Sequence, residues 1–359
     1  MVLLVAKISK LYSKLENLHH HSQTEALLAS FEGFESQVSN HLIKFQSLGL
    51  KILSFSWIHQ LFELISLFNK AFARLVVEIE YPASKWESSS IDEYLKYSLN
   101  LLDFFNSISS SLSHLAQAKL SLSHGVSLEE KSSSLGLKNL KPIQPFKPNN
   151  KKKDLVKEKV KDGSSLSCKE EVIHHALMVM ESLGYWVCGV VLCGLSSDDE
   201  IYFEVRKLAI GYVKVSSFTR LESSVYEFVV EKKNGVKEVK EVNDSLAKLV
   251  DAISDEKSYD DEAEDLRKKL GVFEAMLEGF GKEVDHLFNE ESTSSRAPEI
   301  ERRTRDLEST PISDPNPDPD LDSDPNLDPD PDPGPGTRTW TRDPDPDPRP
   351  KPGTRDPDP

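Results

Sequence analysis

The chain has 359 residues, with 60 acidic and 44 basic side chains and a formal net charge of −16. That length can bury a core of one or two domains, at roughly 100–200 residues each, and net acidity leaves no positive surplus to release counterions from phosphates, which argues against nucleic-acid binding. Three cysteines exclude a disulfide scaffold and fit a reducing compartment.

Met1–Ala6 is apolar but shorter than the ~7–15 residues of a signal-peptide core, and reads as the first turn of a helix. Val2 stands where myristoylation needs glycine, and the closing Asp-Pro-Asp-Pro offers no cysteine for prenylation. From Thr24 to Leu48 apolar residues recur every three or four positions (Leu27, Phe31, Phe34, Val38, Leu42, Phe45, Leu48), which predicts a helix ended by Gly49. A second stripe runs Trp57, Leu61, Leu64, Phe68, Phe72, Val76, Ile79, widened by Ile58, Phe62, Ile65 and Leu75. So broad a face implies more than one neighbour, hence a bundle. Pro82 ends it, because the residue before proline is pushed out of the α region.

Ser90-Ile91-Asp92-Glu93 then reads as a capping box that opens a third helix. Its inward stripe is Ile91, Tyr94, Leu95, Leu99, Leu102, Phe105, Ile108, Leu112 and Leu115. Residues 125–166 lose the pattern and gain lysine, proline and serine; the run at Lys151–Lys153 reads as a solvated linker rather than a nuclear signal. Ser167-Cys168-Lys169-Glu170 is a second capping box. From Asp199 one helical pattern runs Ile201, Val205, Leu208, Tyr212, Val215, Phe218, Leu221, Val225 and Phe228, with a β-prone patch at Val225–Val230, before a turn at Asn234-Gly235. A helical piece follows over Val242–Ile253. Leu266, Leu270, Phe273, Leu277, Phe280, Val284 and Leu287 form a heptad seam that can close within this chain or on a second one. Beyond Ser309, Asp-Pro repeats cannot form a core, since proline lacks the amide donor and the aspartates repel.

Ala176–Leu195 is long enough, at about 1.5 Å per residue, to cross a bilayer. Glu181 and glycines 184, 189 and 194 argue instead for a buried core helix, with a single span or an interfacial helix as the alternatives. Cys188 and Cys193 are five apart and fall on different faces, so they read as small core residues. The neighbours His174 and His175, and the triplet His19–His21, diverge by about 100° per step and cannot easily share a metal. No phosphate loop, dinucleotide fingerprint, nucleophile elbow or zinc-protease motif occurs. An enzyme would need a pocket lined by groups such as His59 and His114. The reading is therefore of a non-enzyme with no catalytic, cofactor-binding or metal residues.

Ser56-Trp57, the Pro82-x-x-x-Trp86 spacing, Asp92-x-Tyr94-Leu95 and Leu101-Leu102-Asp103 with Asn106, in that order, resemble the plant BYPASS family. The resemblance covers roughly residues 50–125 well and residues 167–288 loosely; Tyr81 stands where leucine is usual. It implies a plant-specific developmental regulator without a catalytic domain, one that restrains a root-derived mobile signal arresting shoot growth. It also implies protein partners, with exocyst subunits and vesicle traffic linked to some relatives. The motif residues Trp57, Pro82, Trp86, Tyr94, Asp103 and Asn106 are expected to cap and lock the second and third helices. Pro82 makes the bend, Trp86 packs across the turn, and Asp103 and Asn106 share a face from which they can bond across helices.

The expected architecture is all-α, a long antiparallel helical bundle with a disordered Asp/Pro-rich tail. Its parts are an N-terminal three-helix region (1–124), a Lys/Pro/Ser-rich linker (125–166), a C-terminal helical region with the heptad helix (167–292) and the acidic tail (293–359). The function expected is growth regulation through protein contacts, without nucleic acid. The alternative is a membrane-anchored helper of exocyst or vesicle traffic, with Ala176–Leu195 as the anchor. The sequence favours a cytoplasmic or membrane-associated protein over a plastid or nuclear one.

Overall fold

The computed structural model describes residues 21–129, 140–144, 167–196, 199–231, 235–255 and 258–294, all within the unit Met1–Thr310. Expectations for Met1–Ala6, the His19–His21 side chains, Lys151–Lys153 and the Asp-Pro tail lie outside the described residues. Among those described, every regular element is helical: α1 (His21–Ser47), α2 (Phe55–Glu78), a 3-10 turn (Ala83–Lys85), α3 (Ser88–Glu129), α4 (Cys168–Ser196), α5 (Glu200–Tyr212), α6 (Ser216–Val230), α7 (Lys237–Ser254) and α8 (Asp260–Ser294).

Four long helices make the core, and side-chain pairs give their directions. Phe72 meets Tyr94 and Phe62 meets Phe105, so α2 and α3 are antiparallel. Tyr97 lies by Glu291 and Lys119 pairs with Glu274, so α3 and α8 are antiparallel as well. Glu93 meets His174 and Asn100 meets Tyr185, which makes α4 run parallel to α3. Lys169 at one end of α4 reaches Ile79, while Gly194 at the other meets Ile58, so α4 opposes α2. Around this core α1 packs on α2 and α4, α5 on α4, α6 on α1, and α7 on α8. The heptad seam closes within the chain: all seven seam residues are buried, Phe273 against Phe55 and Phe280 against Phe62.

Helix α4 is enclosed by α1, α2, α3 and α5, and every residue from Ser182 to Ser196 is buried. A helix with neighbours on all sides must be apolar all round, which is why this stretch has no clean stripe. It is the one described helix long and apolar enough to cross a membrane by length and composition.

Local signals act mostly as read, with corrections. Gly49, at φ +61°, follows the end of α1, where only glycine enters the left-handed region without a steric cost. Helix α2 stops three residues ahead of Pro82. The Tyr81 amide donates to the Val76 carbonyl and the Glu80 amide to that of Val77, a Schellman ending with Glu80 at φ +51°. Neither capping box forms in full. Helix α3 begins at Ser88, so Ser90 lies inside it, and Glu93 instead accepts from His174 Nδ1 at 2.7 Å. Ser167 Oγ does accept from the Glu170 amide, but the Glu170 carboxylate takes the amide of Glu87 on another segment.

On α3 the inward stripe is Tyr97, Leu101, Phe104, Phe105, Ile108, Leu112 and Leu115, while Leu99 is 61% exposed. The single pattern from Asp199 is two helices, α5 and α6, parted at the extended Val213. Phe218 caps the turn by packing edge-on against Trp186 at 5.2 Å, and Gln46 Nε2 donates to the Ser217 carbonyl at 2.7 Å. The patch at Val225–Val230 is helical. Helix α3 runs on to Glu129, five residues past the expected end of the N-terminal region. Within 125–166, Leu140 and Ile143 are buried in the core.

Candidate functional site: the aromatic turn and the outer face of α3

The motif residues separate into two groups. Trp57 is buried, its amide held by Ser54 Oγ at the start of α2, and its ring lies 5.4 Å from Phe45. It therefore ties α2 to α1. The start of α2 is also capped from a distance, because Glu238 Oε2 accepts from the Phe55 amide at 3.0 Å. A carboxylate there faces the positive end of the helix dipole. The Leu53 carbonyl returns the contact by accepting from the Lys237 amide.

Pro82 is exposed, with φ −64°, and opens the 3-10 turn that redirects the chain. Trp86 follows it into the core as the spacing predicts. Its Nε1 donates to the Tyr81 carbonyl at 2.9 Å, and its ring meets Phe72 at 70° and Tyr94 at 80°. Phe72 and Tyr94 stack on each other at 17°. Edge-to-face aromatic pairs add about 0.5–1.5 kcal/mol beyond area burial, so the triad fixes the angle between α2 and α3. Pro-x-x-x-Trp is thus a structural spacing.

Below the triad lies a buried polar group. Asn69 Nδ2 donates to Glu291 Oε2 at 3.3 Å, and the Tyr97 hydroxyl donates to Asn69 Oδ1 at 3.3 Å. Burial raises the Glu291 carboxyl above its ordinary range, offset in part by the nearby Ser98 hydroxyl and the hydrogen bond from Asn69. Burial, followed by the Glu291 charge, pushes the Tyr94 hydroxyl up to about 12 and raises that of Tyr97 well above its usual value. Gly184 of α4 makes room here, since a Cβ on it would stand 2.9 Å from the Tyr97 hydroxyl oxygen. Tyr81, in the turn, is also pushed up to about 12 by burial and then by Glu170.

Asp103 and Asn106 take no place in this cluster. Both are exposed on α3, in line with Lys96, Leu99, Ser110, Ser113, Gln117 and Leu120, all exposed and three or four apart. The histidine candidates are also separate: His59 pairs with Glu63 along α2, whereas His114 Nε2 donates to the Gln144 carbonyl. His174 is taken by Glu93 and His175 Nδ1 by the Glu171 carbonyl, so they hold separate partners. Burial pushes the Cys188 thiol up, as befits a core residue. No cluster of three metal-ligating side chains occurs among the described residues.

Sequence reasoning missed two polar contacts. Glu222 of α6 is buried and holds Arg206 of α5 in a two-point ion pair, with Tyr202 donating to it at 3.1 Å and the guanidinium 4.0 Å over Tyr226. Asn243 of α7 accepts from the Ile143 amide at 2.8 Å and donates to the Ile143 carbonyl at 3.0 Å. The only sequence sign of the first is an acid and a base on adjoining helical stripes. The second leaves none, being one asparagine in an amphipathic helix.

No protein-family model matches the chain, and no solved structure does. The rice protein named UPF0496 protein 4 (Oryza sativa subsp. japonica) is 24% identical over 263 residues, covering 66% of this chain and 56% of its own; its indica counterpart is 25% identical over 261 residues with the same coverage. The chain thus spans about half the length of these rice relatives. Protein BPS1, chloroplastic, of Arabidopsis thaliana is 36% identical over 97 residues, or 27% of each chain. The similarity to these plant proteins fits the resemblance that the Trp57–Asn106 motif bears to the BYPASS family.

Proposed function

We propose that the chain is a non-enzymatic regulator of plant growth that works through protein contacts and restrains a root-derived signal arresting shoot growth. The observation that supports it is the division of the motif. Trp57, Trp86 and Tyr94 serve packing, whereas Asp103 and Asn106, matched to the same family pattern, stand exposed on the outer face of α3. A surface that packing does not explain is best explained by contact. The partner fitted to that stripe is a helix with donors for Asp103 and Asn106 and an apolar residue for Leu99.

The test is complementation in a plant that lacks its BYPASS-type protein. The unmodified chain is expected to restore shoot growth, and the Asp103→Lys, Asn106→Lys chain to fail while unfolding within about 0.5 kcal/mol of the unmodified one, as surface changes do. Restoration by both chains sinks the surface, and restoration by neither sinks the growth role.

A second reading rests on α4, whose length and composition suit a membrane anchor for vesicle traffic. Carbonate extraction of membrane pellets separates the two. Resistance to carbonate with release by detergent supports the anchor, and recovery in the soluble fraction supports the enclosed core helix.

A further inference from the structure

With 60 acids in 359 residues, about one position in six is acidic, yet none falls within residues 36–62 or 205–221. The fold joins these two stretches. Gln46 Nε2 of α1 donates to the Ser217 carbonyl of α6 at 2.7 Å, and the Ser39 and Ser217 hydroxyls pair at 3.0 Å. Lys44 and Lys51 on the first stretch, and Lys214 and Arg220 on the second, are exposed. Two large apolar side chains of the first stretch are exposed as well, Ile43 at 50% and Leu48 at 46%. Ile43 is four residues from Ser39 and three from Gln46, so it lies on the edge of α1 that carries the contacts to α6. Glu222 and Glu238, which reach these stretches, are engaged within the protein, the one with Arg206 and the other with the Phe55 amide. His41 of α1 is held below its ordinary value by burial and then by the Arg74 and Lys44 charges, as a local surplus of positive charge requires.

We propose that the face where α1 meets α6 is a peripheral docking surface for a bilayer that carries anionic headgroups, with α4 still enclosed in the core. Charge and apolarity together select that occupant. Cations without accompanying acids match the negative potential of a leaflet rich in anionic lipid. An exposed isoleucine and leucine among them match the acyl boundary just beneath the headgroups, whereas a peptide of acidic residues alone would leave both in water. The chain as a whole is strongly acidic, but at physiological salt charges are screened beyond about 8 Å, so the face in contact decides. Each basic residue near such a surface adds roughly fivefold to binding, and four of them give a reversible attachment. The contact stands apart from the growth reading and from α4 as an anchor, and its test depends on neither.

The experiment is co-sedimentation of the full chain with vesicles of phosphatidylcholine, alone or with about 30% phosphatidylserine, in about 0.15 M salt. Binding to the anionic vesicles alone is expected, and its loss in about 1 M salt, where the screening length falls to about 3 Å. Lys44→Gln with Arg220→Gln should weaken it by about tenfold or more. Lys268→Gln with Lys282→Gln, both exposed on α8, makes the same change in net charge and should leave binding unaltered. Ile43→Ser should weaken it several-fold, since the apolar contact is lost while the charges stay. All five positions are exposed, so these variants keep the core intact. Failure to bind anionic vesicles overturns the proposal, as does an equal loss from the two glutamine pairs. Indifference to Ile43→Ser, with Lys44 and Arg220 still required, overturns the bilayer in favour of an acidic partner.

Discussion

Helix α4 carries Gly184, Gly189 and Gly194 into the core, whereas α8 leaves Gly271 and Gly279 on its outer side. The contacts show what this means. A Cβ at 189 would lie 2.4 Å from Val205, and one at 194 would lie 2.9 Å from Ile58, while one at 271, 279 or 281 would meet nothing within 4 Å. In α4 glycine permits close approach on every side, so α2, α3 and α5 settle against one axis. In α8 the heptad seam, with Ala263 and Glu291, is buried, and its glycines stand outside that face. A clean period in the sequence marks a helix with one buried face. The loss of period at high apolarity marks a helix with none exposed.

The largest expected effect comes from removing bulk at the centre of α4. Trp186 is wholly buried against Phe218, and Trp186→Ala should cost about 3–5 kcal/mol, read as a shift in the denaturant midpoint. On α8, Val272 is half exposed, and Val272→Ala should move the midpoint by less than about 0.5 kcal/mol. Comparable losses at the two sites would erase the distinction. Next in size is Gly189→Ala. Val205 is β-branched and stiff in a helix, so overpacking should cost about 1–3 kcal/mol. That outweighs the roughly 1 kcal/mol that alanine gains over glycine in helix propensity. A stabilised Gly189→Ala protein would mean that α5 can move aside.

The same reasoning shows what could be read from residues alone. The seam of α8 and the broad face of α2 were legible, because spacing fixes which side chains share a face whatever lies opposite. The enclosure of α4 followed from its glycines and Glu181, though which helices enclose it did not. The face of α3 was partly misread. Leu95, Leu99 and Leu102 form a three-four series as good as that of Leu101, Phe104 and Ile108, and only tertiary packing decides between them. The break between α5 and α6 was hidden because no proline or side-chain cap marks Val213–Val215. Of the candidate site, Trp86 across the turn was foreseen by spacing. The exposure of Asp103 and Asn106 was not, since polar residues at helical spacing suit a cross-helix bond and a solvent face equally well.

Smaller effects sharpen the contrast from the side of α8. Gly279→Ala should raise stability by up to about 1 kcal/mol, as the new methyl meets open space and the unfolded chain loses freedom. Glu80→Gly should gain about as much, because the left-handed residue that closes α2 then bears no Cβ. A loss in either case would show that the solvent side of these helices is less free than the contacts suggest.

Glu291 is where α8 departs from its own rule, since it alone among the carboxylates of that helix is buried. It sits among Asn69, Tyr94, Tyr97 and Ser98, and burial raises its pKa in the folded protein. The native state thus holds the proton more tightly than the unfolded one. The resulting stability is present below the ordinary carboxylate range and is lost as pH rises through the folded value. Glutamine keeps an acceptor for Asn69 and does not ionise. Glu291→Gln should therefore match the unmodified chain near pH 4 and exceed it progressively toward about pH 8. Parallel stability curves across that range would mean that Glu291 is ionised at little cost, and that the end of α8 is as open to water as its outer face.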